Sequence, residues 1–310
     1  MTEASAGRRS RLRLPTLTPV AFRRSAYAAL AALLLVTISG ATVRLTGSGL
    51  GCDNWPRCGD TFLPETGYHA FVEFGNRVVG FVVGLTTLGA AFVGWRARIP
   101  RGLMAATIGL PLLVLAQGIL GGITVIFELH PLIVMGHFLL SLAAVALAVV
   151  VCVGAERLVR GGGEAAPLER WVHLLAYALV PLALALVISG AFVTAAGPHS
   201  GGSDIRRLGD LLDAVYVHVR VTAVFGVAFL ALVIALWRAR ETARTELTVA
   251  GVTLGLLLAQ MAVGETQWRN HLPWWLVLIH VVLATGVWTG IVAIAALVRR
   301  SEAGRTAALP

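Results

Sequence analysis

Long apolar runs separated by short polar interruptions set the pattern of the chain. Stretches of about 18 or more apolar residues are read as membrane-spanning helices. Eight such runs occur, at 26–44, 73–95, 103–126, 132–153, 172–194, 214–236, 247–266 and 273–297. The pattern predicts an all-α polytopic membrane protein.

The runs also repeat. Ile38-Ser39-Gly40-Ala41 near the end of the first returns as Ile188-Ser189-Gly190-Ala191 near the end of the fifth, an offset of 150 residues. Gln117 and Gly121 in the third run meet Gln260 and Gly264 in the seventh at an offset of 143, which His137 and His280 share. Spans one to four and five to eight are therefore two copies of one four-helix unit. An even number of spans gives both copies the same orientation, related by an axis along the membrane normal. The organisation expected is a tail (1–25), an N-terminal half (26–154), a linker (155–171), a C-terminal half (172–298) and a second tail (299–310). The second span of each half aligns in two ways. Asn76 over His218 needs an offset of 142, and Arg77 over Arg220 needs 143.

Composition supports the membrane assignment: 57% of the 310 residues are hydrophobic and 13% charged, a balance foreign to soluble domains. A formal charge of +9 is the kind of balance a nucleic-acid partner calls for, but its distribution argues against that inference. All 25 basic residues are Arg, and 18 of them lie in the two tails and in the loops at 96–101, 155–170 and 237–246. These segments alternate with the remaining loops, so the positive-inside rule puts them, and both termini, in the cytoplasm of a cell that carries the protein in its plasma membrane. Arg206 and Arg207 are the local exception.

Polar groups inside spans are costly and mark function. His137 lies six residues after Pro131 and His280 seven after Pro273, so both sit roughly 10 Å below the outer surface at about 1.5 Å per residue. Asn76 and His218 enter spans two and six at similar depth. Glu73, Asn76, Arg77 and Gly80 fall at i, i+3, i+4 and i+7, on one helical face. Two histidines on facing helices of a bundle suit the two axial positions of a haem iron, and His218 with His280 meets that requirement. Arg77 and Arg220 either pair with haem propionates or snorkel to the interface. Glu73 either serves the chemistry at a bound haem or forms a salt bridge one turn along to Arg77. Cys52 and Cys58 share the first outer loop, where a redox pair and a simple loop staple are both compatible with the spacing. Cys152 is a small buried thiol. His69, His130, His173, His199 and His271 fall in loops or at helix edges and suit solvated roles.

Taken together, Gly51-Cys52-Asp53-Asn54-Trp55-Pro56-Arg57-Cys58, Glu73-Phe74-Gly75-Asn76-Arg77, the segment from Gln117 to Thr124, and His137, His218 and His280 resemble the haem A synthase family, across all eight spans. The resemblance implies a haem b cofactor held between His218 and His280. It further implies that the N-terminal half binds haem O as substrate, with Glu73 near the reacting C8 methyl group and Cys52–Cys58 as a disulfide at the entrance. The implied reaction carries that methyl through an alcohol to a formyl group for cytochrome oxidase biogenesis. A haem O synthase and a quinol electron donor are the partners it admits, besides membrane lipid. Many relatives have His where this chain has Asn76, which leaves His137 as the single expected axial ligand in the N-terminal half. Two rivals stand beside this reading. A di-haem cytochrome b type electron carrier needs a fourth histidine at these depths, and a transporter needs helices broken at mid-membrane.

Overall fold

The computed structural model describes residues 16–52, 54–61, 63–64, 67–161, 168–199, 201 and 205–307, with side chains to 299. Eight helices follow one another: α1 (Pro19–Leu45), α2 (Tyr68–Arg96), α3 (Arg101–Ile126), α4 (Pro131–Arg160), α5 (Arg170–Ala196), α6 (Leu211–Arg238), α7 (Arg244–Arg269) and α8 (Trp274–Ala307). Each is 26 residues or longer. At about 1.5 Å per residue that is roughly 40 Å, enough to cross a hydrocarbon core of about 30 Å. All eight are long and apolar enough to span a membrane; this is a multi-pass membrane protein.

The helices outrun the apolar stretches that predict them, because polar residues cap and extend the ends. Thr18 accepts a hydrogen bond from the Ala21 N–H and Pro19 opens α1, a favourable pair at a helix start. Asp210 caps α6 through the Leu212 and Asp213 N–H groups. Gly161, at φ 68°, closes α4 in the left-handed conformation, as glycine readily does. Helix therefore occupies 19–25 of the expected N-terminal tail, the two ends of the expected 155–171 linker, and the C-terminal tail up to Ala307. Residues 1–15, 162–167 and 308–310, and Asp53 of the cysteine loop, lie outside the described residues.

Packing follows the repeat. Helices α1 to α4 close a ring in which each touches the next and α4 returns to α1; α5 to α8 form the second ring, with α6 and α7 meeting over a shorter stretch than α2 and α3. The rings join where α4 and α8 cross, flanked by α1 against α8 and α4 against α5. Leu142, Val145, Val149, Phe225, Phe229, Leu232, Ile291 and Ile294 fill the resulting core, and the Trp288 Nε1–H donates to the Leu142 carbonyl across the joint at 2.9 Å. The opposite faces of α2 and α6 expose Phe81, Leu85, Phe92, Val224, Val227 and Leu230, as a lipid-facing surface requires.

Pro111 and Pro181 lie inside α3 and α5 without ending them, since a neighbouring helix or side chain can satisfy the freed carbonyl in a membrane bundle. Helices interrupted at mid-membrane, the mark of the transporter reading, are absent among the described residues. One end of the bundle is rich in Arg: Arg23 and Arg160 each lie 3.5 Å from Glu156, whose other oxygen accepts from Tyr27. The cysteine loop caps the other end.

Candidate haem and substrate sites

In both rings, the same construction presents a polar side chain from one helix to a glycine on the helix before it. Gly40 on α1 faces Asn76 on α2, Gly121 on α3 faces His137 on α4, Gly190 on α5 faces His218 on α6, and Gly264 on α7 faces His280 on α8. A Cβ at Gly190 or Gly264 would stand 3.1 Å from the facing imidazole, and one at Gly121 3.4 Å. The glycines let each ring lie flat against its neighbour. Serine adds the next contact. Ser39 donates to the Asn76 Oδ1 at 2.6 Å, and Ser189 lies 2.9 Å from the His218 Nδ1. These matched pairs fix the second span at the 142-residue offset, with Asn76 in the place of His218. Arg77 then corresponds to Val219 and Arg220 to Val78.

The C-terminal pair fits a metal between two imidazoles. Ser189 spends its proton on the Leu186 carbonyl at 2.8 Å, so it accepts from the His218 Nδ1–H and leaves Nε2 with its lone pair free. Gln260 Nε2 lies 3.1 Å from the His280 Nε2; an amide N–H donated there occupies that nitrogen's lone pair, so His280 binds a metal through Nε2 only once Gln260 lets go. The two ring centroids are 6.4 Å apart. Imidazole nitrogens about 2 Å from one iron, on opposite faces, put their ring centroids about 6 Å apart. His280 Nδ1 and Gln260 Oε1 are buried without partners, which is costly unless a ligand answers them.

The N-terminal ring repeats this with substitutions. His137 Nδ1 and Gln117 Oε1 are likewise buried and unpartnered. Ser141, where the other ring has Ala284, draws the Gln117 amide to itself at 2.6 Å and to the His137 carbonyl at 3.0 Å. The imidazole of His137 is consequently free of Gln117. By the repeat, Asn76 stands where His218 does in the other ring, and an amide is a poor iron ligand.

Glu73 and Arg77 build the entrance. Glu73 is buried; one oxygen accepts the Cys52 N–H at 2.9 Å and the other meets Arg77 Nη2 at 2.5 Å. Arg77 also donates to the carbonyls of Asn54, Pro56 and Arg57 at 3.1, 3.1 and 2.8 Å. The guanidinium thus gathers the loop, and the salt bridge named as the alternative for Glu73 is formed. Cys52 and Cys58 are joined in a disulfide, and Trp55 between them lies against Gly122 of α3, where a Cβ would come within 2.8 Å of the indole. The loop therefore covers the ring that carries His137. Arg220 is exposed, 5.7 Å from the Tyr216 ring centroid.

The remaining histidines hold loops and helix ends. His69 Nδ1 meets Ser48 at 2.8 Å, His199 Nε2 meets the Leu272 carbonyl at 2.7 Å and His173 Nδ1 meets the Glu169 carbonyl at 3.1 Å. Sequence reasoning missed Ser141, the seat of Trp55 and Arg44, a charged residue continuing the small-residue line Thr37-Gly40 on α1. Its spacing was the available signal.

Comparison with known proteins agrees with this arrangement. Residues 60–292 match the family model COX15-CtaA, described as cytochrome oxidase assembly protein. The heme A synthase of Symbiobacterium thermophilum is 32% identical over 288 residues, covering 86% of this chain and 92% of the relative. That of Bacillus pumilus is 30% identical over 167 residues, 52% and 54% of the two chains. That of Shouchella clausii is 36% identical over 122 residues, 37% and 40%. With a family model spanning most of the chain and a relative matched nearly end to end, the protein belongs to the haem A synthase family.

Proposed function

We propose that this protein is a haem A synthase, an oxidoreductase that converts the C8 methyl group of haem O to a formyl group for cytochrome oxidase biogenesis. The observation that carries the reading is the asymmetry of two otherwise matched rings. One opposes His218 to His280, and the other carries His137 with Asn76 at the position that repeats His218. A bis-histidine haem has both iron faces filled, which suits electron transfer, whereas a single axial ligand leaves one face open. In this reading His218 and His280 hold a resident haem b, which supplies one-electron chemistry when bound. The N-terminal half, 26–154, receives haem O as substrate, and the C-terminal half, 172–298, carries the cofactor.

Charge distribution supports the same division. Glu73 has Val215 as its counterpart in the second ring, so the buried carboxylate belongs to the substrate side alone. There it holds the loop closed and stands ready to take a proton or to stabilise positive charge developing on the reacting carbon. Arg77 serves as the loop's anchor, and Arg220 as an interfacial cation. The cysteine-loop end faces outward and the Arg-rich end, with both termini, lies in the cytoplasm. A di-haem electron carrier would place a second iron ligand at position 76, where Ser39 instead holds an amide.

The test is to compare His137→Ala with Asn76→Ala in detergent-purified protein supplied with haem O. The first is expected to lower haem O affinity by tenfold or more, read by absorbance titration, and to abolish product. The second is expected to change affinity by less than threefold. Equal losses would make Asn76 a ligand and remove the asymmetry.

A further inference from the structure

Arg44 lies on α1 one turn beyond Gly40, on the face that meets Asn76. It continues the buried line Phe22, Ala26, Ala29, Leu33 and Thr37 at helical spacing, so a guanidinium ends a row of apolar and small side chains. Its Nε and Nη2 are shut off from the surface and have no hydrogen-bond partner. A buried cation without a counter-charge is among the most costly arrangements in a protein. Glu73, at similar depth on the neighbouring helix, does not answer it: its oxygens are bonded to Arg77 and the Cys52 N–H, and no ion pair joins it to Arg44 among the described residues.

At the 150-residue offset of α1 and α5, the counterpart of Arg44 is Thr194, whose hydroxyl donates to its own helix at the Gly190 carbonyl, 3.1 Å away. The unpaired guanidinium therefore belongs to the substrate ring alone, as Glu73 does. It stands about 6 Å further toward the cysteine-loop end than the Gly40–Asn76 contact, at about 1.5 Å per residue.

We infer that Arg44 binds a propionate carboxylate of the substrate haem and sets the orientation in which the macrocycle enters the N-terminal ring. This rests on the proposed haem O site. Guanidinium and carboxylate match in charge and in fork geometry. A macrocycle whose iron lies at the depth of His137, with its carboxylates toward the outer end, brings one of them to Arg44. Arg77, whose donors are taken by the loop and Glu73, is then not needed for this contact. The apolar edge of the macrocycle is left among the spans.

The experiment titrates the purified protein, carrying its resident haem, with haem O and with haem O dimethyl ester, following binding by difference absorbance. Comparing the ratio of the two affinities between variants cancels partition of the ester into detergent. Arg44→Gln is expected to lower the preference for the free acid by tenfold or more, Arg44→Lys by a smaller factor, and Arg77→Gln not to lower it. An unchanged ratio in Arg44→Gln would overturn the inference and leave Arg44 to another anion such as a lipid phosphate. If Arg44→Gln fails to retain resident haem, Arg44→Lys decides, and an unchanged ratio there overturns it equally. Absence of any haem O binding to the wild-type protein would instead sink the substrate-site reading on which the inference rests.

Discussion

Replacing His218 or His280 with alanine is expected to remove the haem b absorbance of the purified protein, while His137→Ala leaves that signal in place. The contrast follows from the proposed function, in which each ring has its own haem ligands. His218 and His280 face one another at 6.4 Å between centroids; Ser189 orients His218 through its Nδ1, and Gln260 contacts His280 at Nε2. In that reading loss of either imidazole removes one of the two residues that would hold the haem, so affinity is expected to fall by at least a hundredfold, about 2.7 kcal/mol. Folding should survive, because the core residues Phe225, Phe229, Leu232, Ile291 and Ile294 lie seven or more residues along α6 and α8 from His218 and His280. Pyridine haemochrome spectra at equal protein concentration measure the loss directly. Full retention of haem b in either variant would show that the ligands lie elsewhere.

A second large effect is expected at Glu73. Glu73→Gln should keep the haem b signal and lower product formation by a hundredfold or more, within the range typical of a lost general acid or base. Glutamine is chosen because Glu73 also has a structural task. Its oxygens hold the Cys52 N–H and Arg77, and alanine would strip Arg77 of its partner at a cost of about 3–5 kcal/mol for a buried pair. The amide oxygen still accepts the Cys52 N–H and the volume is kept, while the charge is removed and the amide NH2 turns a donor toward Arg77. Product analysis by chromatography, with thiol labelling to check that Cys52 and Cys58 remain joined, separates the two tasks. Full activity in Glu73→Gln would confine the residue to holding the loop.

The architecture was legible because a bilayer imposes it. Backbone groups in hydrocarbon must be satisfied internally, so apolar length alone reports helices, and the repeat of Ile-Ser-Gly-Ala reports the two rings. Helix ends were less legible. Thr18, Asp210 and Gly161 extend helices through polar segments that hydropathy counts as loops.

At the site, the histidines could be found from depth and repetition, but their partners could not. The offset ambiguity in the second span needed the Ser39–Asn76 and Ser189–His218 contacts, which connect side chains 37 and 29 residues apart. For Arg77, depth was compatible with a propionate contact or with snorkelling to the interface, and neither reading named the loop. It meets Glu73 and three loop carbonyls, and a loop's path is not written in the periodicity of a neighbouring helix. Arg44 was passed over for the converse reason: at the end of a span it resembles an interfacial residue, and only burial distinguishes it.

The central claim is that one ring keeps a haem as cofactor and the other receives a haem as substrate. Identification of the haems extracted from the purified protein, by chromatography together with pyridine haemochrome spectra, tests it most directly. The account predicts haem b accompanied by haem O, its hydroxylated form or haem A. Two haem b per chain with no modified haem, or no haem at all, would contradict it.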